Sequence, residues 1–195
     1  TTANITPKVL TLTGLTADNK VDNTSNTASI SSYGSLTGGA SSDSDNKYYS
    51  GDSVSLVTTS ASSSFADANA QSGKTVTVTG LSLSNSNYSI ADQTTTANIT
   101  PKALTLTGLT ANNKVYNTSN TASISSYGSL TGGASSDSDN KYYTGDSVSL
   151  VTTSASSSFA DANAQSGKTV TVTGLSLSNS NYSIADQTTT ANITP

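Results

Sequence analysis

Cysteine, histidine, methionine, tryptophan, arginine and glutamate are all missing from this 195-residue chain. Without cysteine there is no disulfide framework and no thiol chemistry, although the compartment stays open on that ground. Without histidine or cysteine, the only side chains able to move a proton are Asp, Lys and Tyr, and no catalytic residue is expected. All 12 acidic residues are Asp and all 8 basic ones are Lys, for a net charge of −4 and a charged fraction of 10%. With no basic stripe, a nucleic-acid partner is not expected. No apolar run approaches the roughly 18 residues that a membrane-spanning helix needs, and no basic amphipathic helix is visible. Low charge with abundant Ser and Thr is a composition shared with disordered chains, but regular alternation of apolar residues points to folded strands for most of the length.

Only three prolines are present, Pro7, Pro101 and Pro195, and they stand 94 residues apart. Between them run two copies of one unit that differ at four positions: Val9/Ala103, Asp18/Asn112, Asp22/Tyr116 and Ser50/Thr144. The junction, Thr94–Gly108, repeats in part as TTANITP at Thr1–Pro7 and TTTANITP at Thr188–Pro195. This period exceeds that of a short-repeat solenoid and is long enough for each unit to close its own core. The expected organisation is residues 1–6 as the final strand of a preceding repeat, residues 7–100 as repeat 1 and residues 101–195 as repeat 2. With no initiator Met or signal peptide at its start, the chain is expected to take its targeting information from outside this stretch. Pro101 favours extended geometry at Thr100, and the Gly-free junction predicts a semi-rigid connection rather than a flexible linker.

Within a unit, Lys8–Thr13 alternates with a period of two, placing Leu10 and Leu12 on one face. Gly14 and Gly80 each sit where that parity slips, which predicts a bend or bulge. Ala17–Thr27 is polar and turn-rich, and Thr27–Tyr33 resumes alternation through Ala28 and Ile30. Gly34–Lys47 reads as a mobile loop and Asp67–Gly73 as a turn. Val54 and Leu56 mark another strand, and Phe65, the only phenylalanine of its copy, is the expected centre of the core. Thr75–Ser84 carries the strongest strand pattern, and Tyr88–Ile99 the last. About seven or eight short strands joined by Gly, Ser, Asn and Asp turns predict an all-β chain. The expected form is two tandem antiparallel β-sandwich domains of immunoglobulin-like architecture, end to end, with β-grasp or small barrel units as the alternative.

Candidate sites are few. Asp43 and Asp45, with Asp137 and Asp139 in the copy, place oxygens two residues apart as calcium prefers, but Lys47 stands where a third ligand belongs and no Glu is available. Calcium is therefore a weak expectation beside a plain solvated acidic loop. Tyr48, Tyr49, Tyr142 and Tyr143 are candidate ligand residues, because an outward Tyr beside a polar loop can stack on a sugar ring. Tyr116, which stands where the first copy has Asp22, is expected at the surface or near the junction. An intramolecular Lys–Asn bond would need a buried Lys beside a carboxylate, and Lys8 or Lys74 with Asp67 or Asp92 are the candidates. Seven N-x-Ser/Thr triplets, at Asn4, Asn23, Asn87, Asn98, Asn117, Asn181 and Asn192, fit glycosylation acceptors, as chance also provides in such a composition. The rows Thr11/Thr13 and Thr75/Thr77/Thr79 read as ordinary exposed strand residues.

The order ITPKALTLTGLTANNKVYNTSN, YTGDSVSL, FADANAQSGKTVTVTGLSLSNSNYSI and TTANITP resembles the YDG-type repeat of large filamentous-haemagglutinin-like exoproteins and adhesins of bacteria. Ile99–Leu106, Gly145–Leu150, Phe159–Thr173 and Tyr182–Ile184 carry the resemblance most strongly. The naming motif is degraded: Lys114-Val115-Tyr116-Asn117-Thr118 keeps its first three residues, and Lys20-Val21-Asp22-Asn23-Thr24 lacks the Tyr. The resemblance implies a secreted, cell-surface or matrix protein, exported through an outer-membrane pore, with these units as its shaft. Structural spacer repeats of a fibrous adhesin, extending a binding region or building extracellular matrix and biofilm, are the expected function. The alternative is a weak binding module for glycans or for host and abiotic surfaces, gaining avidity from many copies. Expected partners are neighbouring repeats of the same chain and, through weakly protected edges, laterally associated chains.

Overall fold

Strands and turns make up the whole chain, with no helix, in a computed structural model that describes all 195 residues. The chain divides into two compact units, Thr1–Lys20 with Ser25–Thr100 and Val21–Thr24 with Pro101–Pro195. In the first, the strands are β1 (Lys8–Leu10), β2 (Thr16–Ala17), β3 (Lys20–Val21), β4 (Ile30–Ser32) and β5 (Leu56–Val57). They continue with β6 (Ser62–Phe65), β7 (Gln71–Thr79), β8 (Ser82–Leu83), β9 (Tyr88–Ile90) and β10 (Gln93–Thr100). The second unit repeats the same ten strands. Both are all-β and tandem, as the sequence predicts.

The pairing is mixed rather than purely antiparallel. A four-stranded sheet in the order β3-β10-β7-β6 forms the body of the unit, and three two-stranded pieces, β1-β9, β2-β4 and β5-β8, complete it. β6 pairs with β7, and β7 with β10, in antiparallel fashion. By contrast β1 runs parallel to β9, with Lys8 opposite Tyr88 and Leu10 opposite Ile90. The second unit's counterpart of β3, Lys114–Val115, is also parallel to its last strand. β1 and β9 can pair in parallel because the long stretch of chain between them serves as the crossover connection that a parallel pair requires.

Alternation builds the core. β7 directs Lys74, Val76 and Val78 inwards and its threonines outwards. Phe65 comes opposite Val76 from β6. Phe65, 1% exposed, packs with Ala28, Val76, Ala97 and Ile99, and Ala17, Ile30 and Ala70 close the rim. The copy repeats this around Phe159, Val170 and Ile193. Lys20 Nζ lies 5.7 Å from the Phe65 ring centre and donates to the carbonyls of Ser25 at 2.5 Å and Thr27 at 3.2 Å.

Gly80, at the parity slip, has φ +72°, and a Cβ there would come within 2.3 Å of the Ser60 carbonyl oxygen. The expected bend is therefore a tight left-handed turn that only glycine tolerates without strain. Three expectations need correction in detail. β1 ends at Leu10, beyond which the Leu12 N–H is taken by the Gln93 side chain instead of a backbone carbonyl. The expected turn to Gly73 stops earlier, since β7 begins at Gln71 where it meets Ile99. Residues 1–6 share the sequence of the end of β10 but form no strand, since in β10 that sequence pairs with β7 and Thr1–Thr6 pair with no such strand here.

Candidate functional site

The polar stretch Gly34–Lys47 and the tyrosines after it converge with β1 and β9 on one side of the unit. Asp45 organises the loop. Its carboxylate accepts the backbone N–H groups of Ser41 at 2.6 Å, Ser42 at 3.3 Å and Lys47 at 3.2 Å. Lys8, at the head of β1, donates Nζ to Asp45 Oδ1 at 2.9 Å and to the Ser42 carbonyl at 2.5 Å. These donors, with the Ser41 N–H foremost and the Lys8 ammonium next, hold the Asp45 carboxyl far below the usual carboxylate range. In the copy, Asp139 accepts from Ser135, Ser136, Lys141 and Lys102, and its carboxyl is lowered in the same way. The stretch read as a mobile loop is thus tied at both ends by hydrogen bonds.

This chemistry differs from that of a cation site. N–H groups and an ammonium direct positive ends at the carboxylate, whereas calcium requires several oxygens directed at itself. Asp43, the other acidic candidate, accepts the Tyr49 hydroxyl at 2.8 Å. No group of three or more acidic side chains that could hold a metal occurs in either unit.

The tyrosine pairs diverge as strand neighbours do. Tyr48 is half-buried, and its ring fills the space over Gly38 so closely that a Cβ there would meet it at 2.7 Å. Tyr49 is exposed, with Lys8 Nζ 5.4 Å from its ring centre. In the copy, Tyr142 lies over Gly132 and Tyr143 lies beside Lys102, whose Nζ is 5.5 Å from its ring. Behind Tyr49 stands buried Tyr88, a residue the sequence marked only as a strand opening. Its hydroxyl accepts the Tyr49 N–H at 2.9 Å and donates to Asp52 Oδ2 at 2.5 Å. Burial first, and the Asp52 carboxylate second, push the Tyr88 hydroxyl up, while the Asp43 contact raises Tyr49. Tyr182 and Asp146 form the same pair in the copy.

In the first unit, Asp43, Tyr49, Asp52 and Tyr88 border a recess of about 760 Å³ with Asn4–Val9, Asn46 and Asn87. Carboxylates, amides and an exposed aromatic face are the groups that bind sugar hydroxyls and rings.

Elsewhere, buried Lys74 pairs with Asp67, and Lys168 with Asp161. Among the lysine candidates for a covalent crosslink, Lys74 meets Asp67 and Lys8 meets Asp45 instead. Asp67 is 52% exposed and its carboxyl is lowered, chiefly by Lys74. Of the glycosylation triplets, Asn98 and Asn192 already use Oδ1 to accept the N–H groups of Gly73 and Gly167 at 2.7 Å. Tyr116 is 48% exposed and Asp22 is buried, so the most divergent position differs in environment between the copies.

Two tandem all-β repeats of this kind define a repeat-domain protein. The YDG domain matches residues 6–97 and again 100–191, and the chain belongs to the YDG domain family. No curated protein and no solved structure matches it.

Proposed function

We propose that these units are structural spacers of a large bacterial secreted or cell-surface adhesin, their role being extension rather than recognition. The observation that carries this reading is interchangeability. Two copies differ at four positions, and the five-residue core cluster, the Asp45 carboxylate contacts and the Tyr88–Asp52 pair each have a counterpart in the second copy. A spacer needs length, and repeating one unit supplies it. Repetition also carries a folding hazard, because identical neighbours can exchange strands. The resemblance to filamentous-haemagglutinin-like exoproteins adds the extracellular, matrix-building context. No helix is long and apolar enough to cross a membrane.

A second reading, weak glycan or surface binding amplified by many copies, draws on the recess beside Asp43 and Tyr49. Dense display of the two-unit chain on beads, challenged with glycan panels and with polystyrene and glass, separates the two. The spacer reading predicts no saturable capture and no difference between the parent and Y49A/Y143A. Saturable capture lost in Y49A/Y143A would transfer the function to the recess.

A further inference from the structure

In a tandem array, tension enters each unit at its first strand and leaves at its last, so the pairing between those two segments decides how the unit resists. In the first unit residues 8–20, from β1 to β3, lie beside residues 88–100, from β9 to β10, and β1 and β9 run the same way. The Lys8 N–H donates to the Asn87 carbonyl at 2.9 Å, and the ladder continues to Leu10 opposite Ile90. Past Leu10 the backbone ladder stops, and side chains take over. Leu12 N–H donates to Gln93 Oε1 at 3.2 Å, and Thr95 Oγ1 donates to the Leu15 carbonyl at 3.0 Å. Further along, Asn98 N–H donates to Asn19 Oδ1 at 2.7 Å, and Thr100 Oγ1 to the Lys20 carbonyl at 3.3 Å. The partner offset stays nearly constant, between 79 and 81 residues, along these side-chain contacts.

We propose that this seam is a mechanical clamp loaded in shear. Pulling β1 by its start and β10 by its end slides two parallel segments past one another, so the bonds along the seam share the load and yield together. In a hairpin opened from one end, the bonds break one after another. Gln93, Thr95 and Asn19 matter because they bridge the gap between the two short backbone ladders at either end of the seam. The second unit repeats the seam through Gln187, Thr189, Asn113 and Thr194, at 3.2, 3.0, 2.7 and 3.4 Å. As a function the clamp rests on the spacer reading. As a property of the fold it rests on the pairing alone.

Single-molecule pulling tests it, and the absence of cysteine allows one introduced thiol to serve as a unique handle. Held at its two termini, the chain should unfold in two steps of equal length. Held instead at the N-terminus and at S86C, beside the start of β9, the first unit is peeled open and should yield at a several-fold lower force. N19A/T95V should lower one of the two steps under end-to-end load and leave the peeling force unchanged. Forced unfolding reports the unfolding barrier, so this comparison reads the seam directly. Equal forces in the two geometries, or N19A/T95V weakening both alike or neither, would overturn the clamp and leave the spacer reading standing. Saturable glycan capture by the beads would do the reverse.

Discussion

Each unit has two unlike halves. One half, β6, β7 and β10 around Phe65, is held by a long antiparallel ladder and an apolar cluster. The other, the Gly34–Tyr49 stretch with β1 and β9, has little ladder and is held by Asp45, Lys8, Tyr88 and Asp52. The difference shows how a chain with 32% hydrophobic residues folds twice over. Phe65, Val76 and Ile99 are gathered in one cluster, while around buried Leu10 and Tyr88 polar side chains satisfy backbone groups in place of a ladder.

The contrast can be broken most forcefully at the core. F65A should cost the first unit about 3–5 kcal/mol. The unaltered second unit then serves as an internal reference, and urea unfolding of the two-unit chain should split into two transitions. A single unsplit transition would mean that Phe65 does not centre its unit. In the polar half, Y88F removes the hydroxyl shared by Tyr49 N–H and Asp52, and about 1–3 kcal/mol should be lost through the groups left unpaired. Chemical denaturation of the Y88F chain reads this, and a neutral result would make that network ornamental.

Acid should distinguish the halves more finely. The folded state depresses the Asp45 and Asp139 carboxyls below their unfolded value of about 3.9, so the folded state gains stability from their ionised form above that pH. That contribution declines as pH falls below about 4 towards the folded value. D45N/D139N should flatten the acid limb of a plot of urea midpoint against pH, while F65A should displace the plot without changing its slope. Asp67 and Asp161, also lowered by their lysines, preserve a residual slope in D45N/D139N. The smallest effect is expected from V9A, which converts a half-exposed residue to its counterpart Ala103 and should stay within about 0.5 kcal/mol by thermal melting. An intact mass equal to that of the sequence would also fix the Lys74–Asp67 and Lys168–Asp161 contacts as ionic.

The apolar half was the readable one. Thr75–Thr79 has a clean period of two, Gly80 marks the turn, and Phe65 stands alone as the large aromatic. Extending the same parity back to Lys74 places that lysine on the core face, a signal that reading apolar residues alone passes over. The parallel seam was not readable, because β3 is two residues long and carries no period, and its neighbour β10 lies some 80 residues away. In the Asp45 loop, carboxylates spaced by two fit a cation loop and a solvated acidic loop alike, and Lys47 already counted against the cation. What spacing does not show is that Lys8, 37 residues distant in sequence, brings an ammonium to the Asp45 carboxylate.

The central claim is that one structural unit is used twice, and residue-resolved hydrogen exchange on the two-unit chain tests it most directly. Amides of β7 and β10 should be among the slowest, and each should match its copy 94 residues on, Val76 with Val170 and Val78 with Val172, within about tenfold, or about 1.4 kcal/mol. Core strands protected in one unit and freely exchanging in the other would show that the copies are not equivalent, and the spacer account would fall with them.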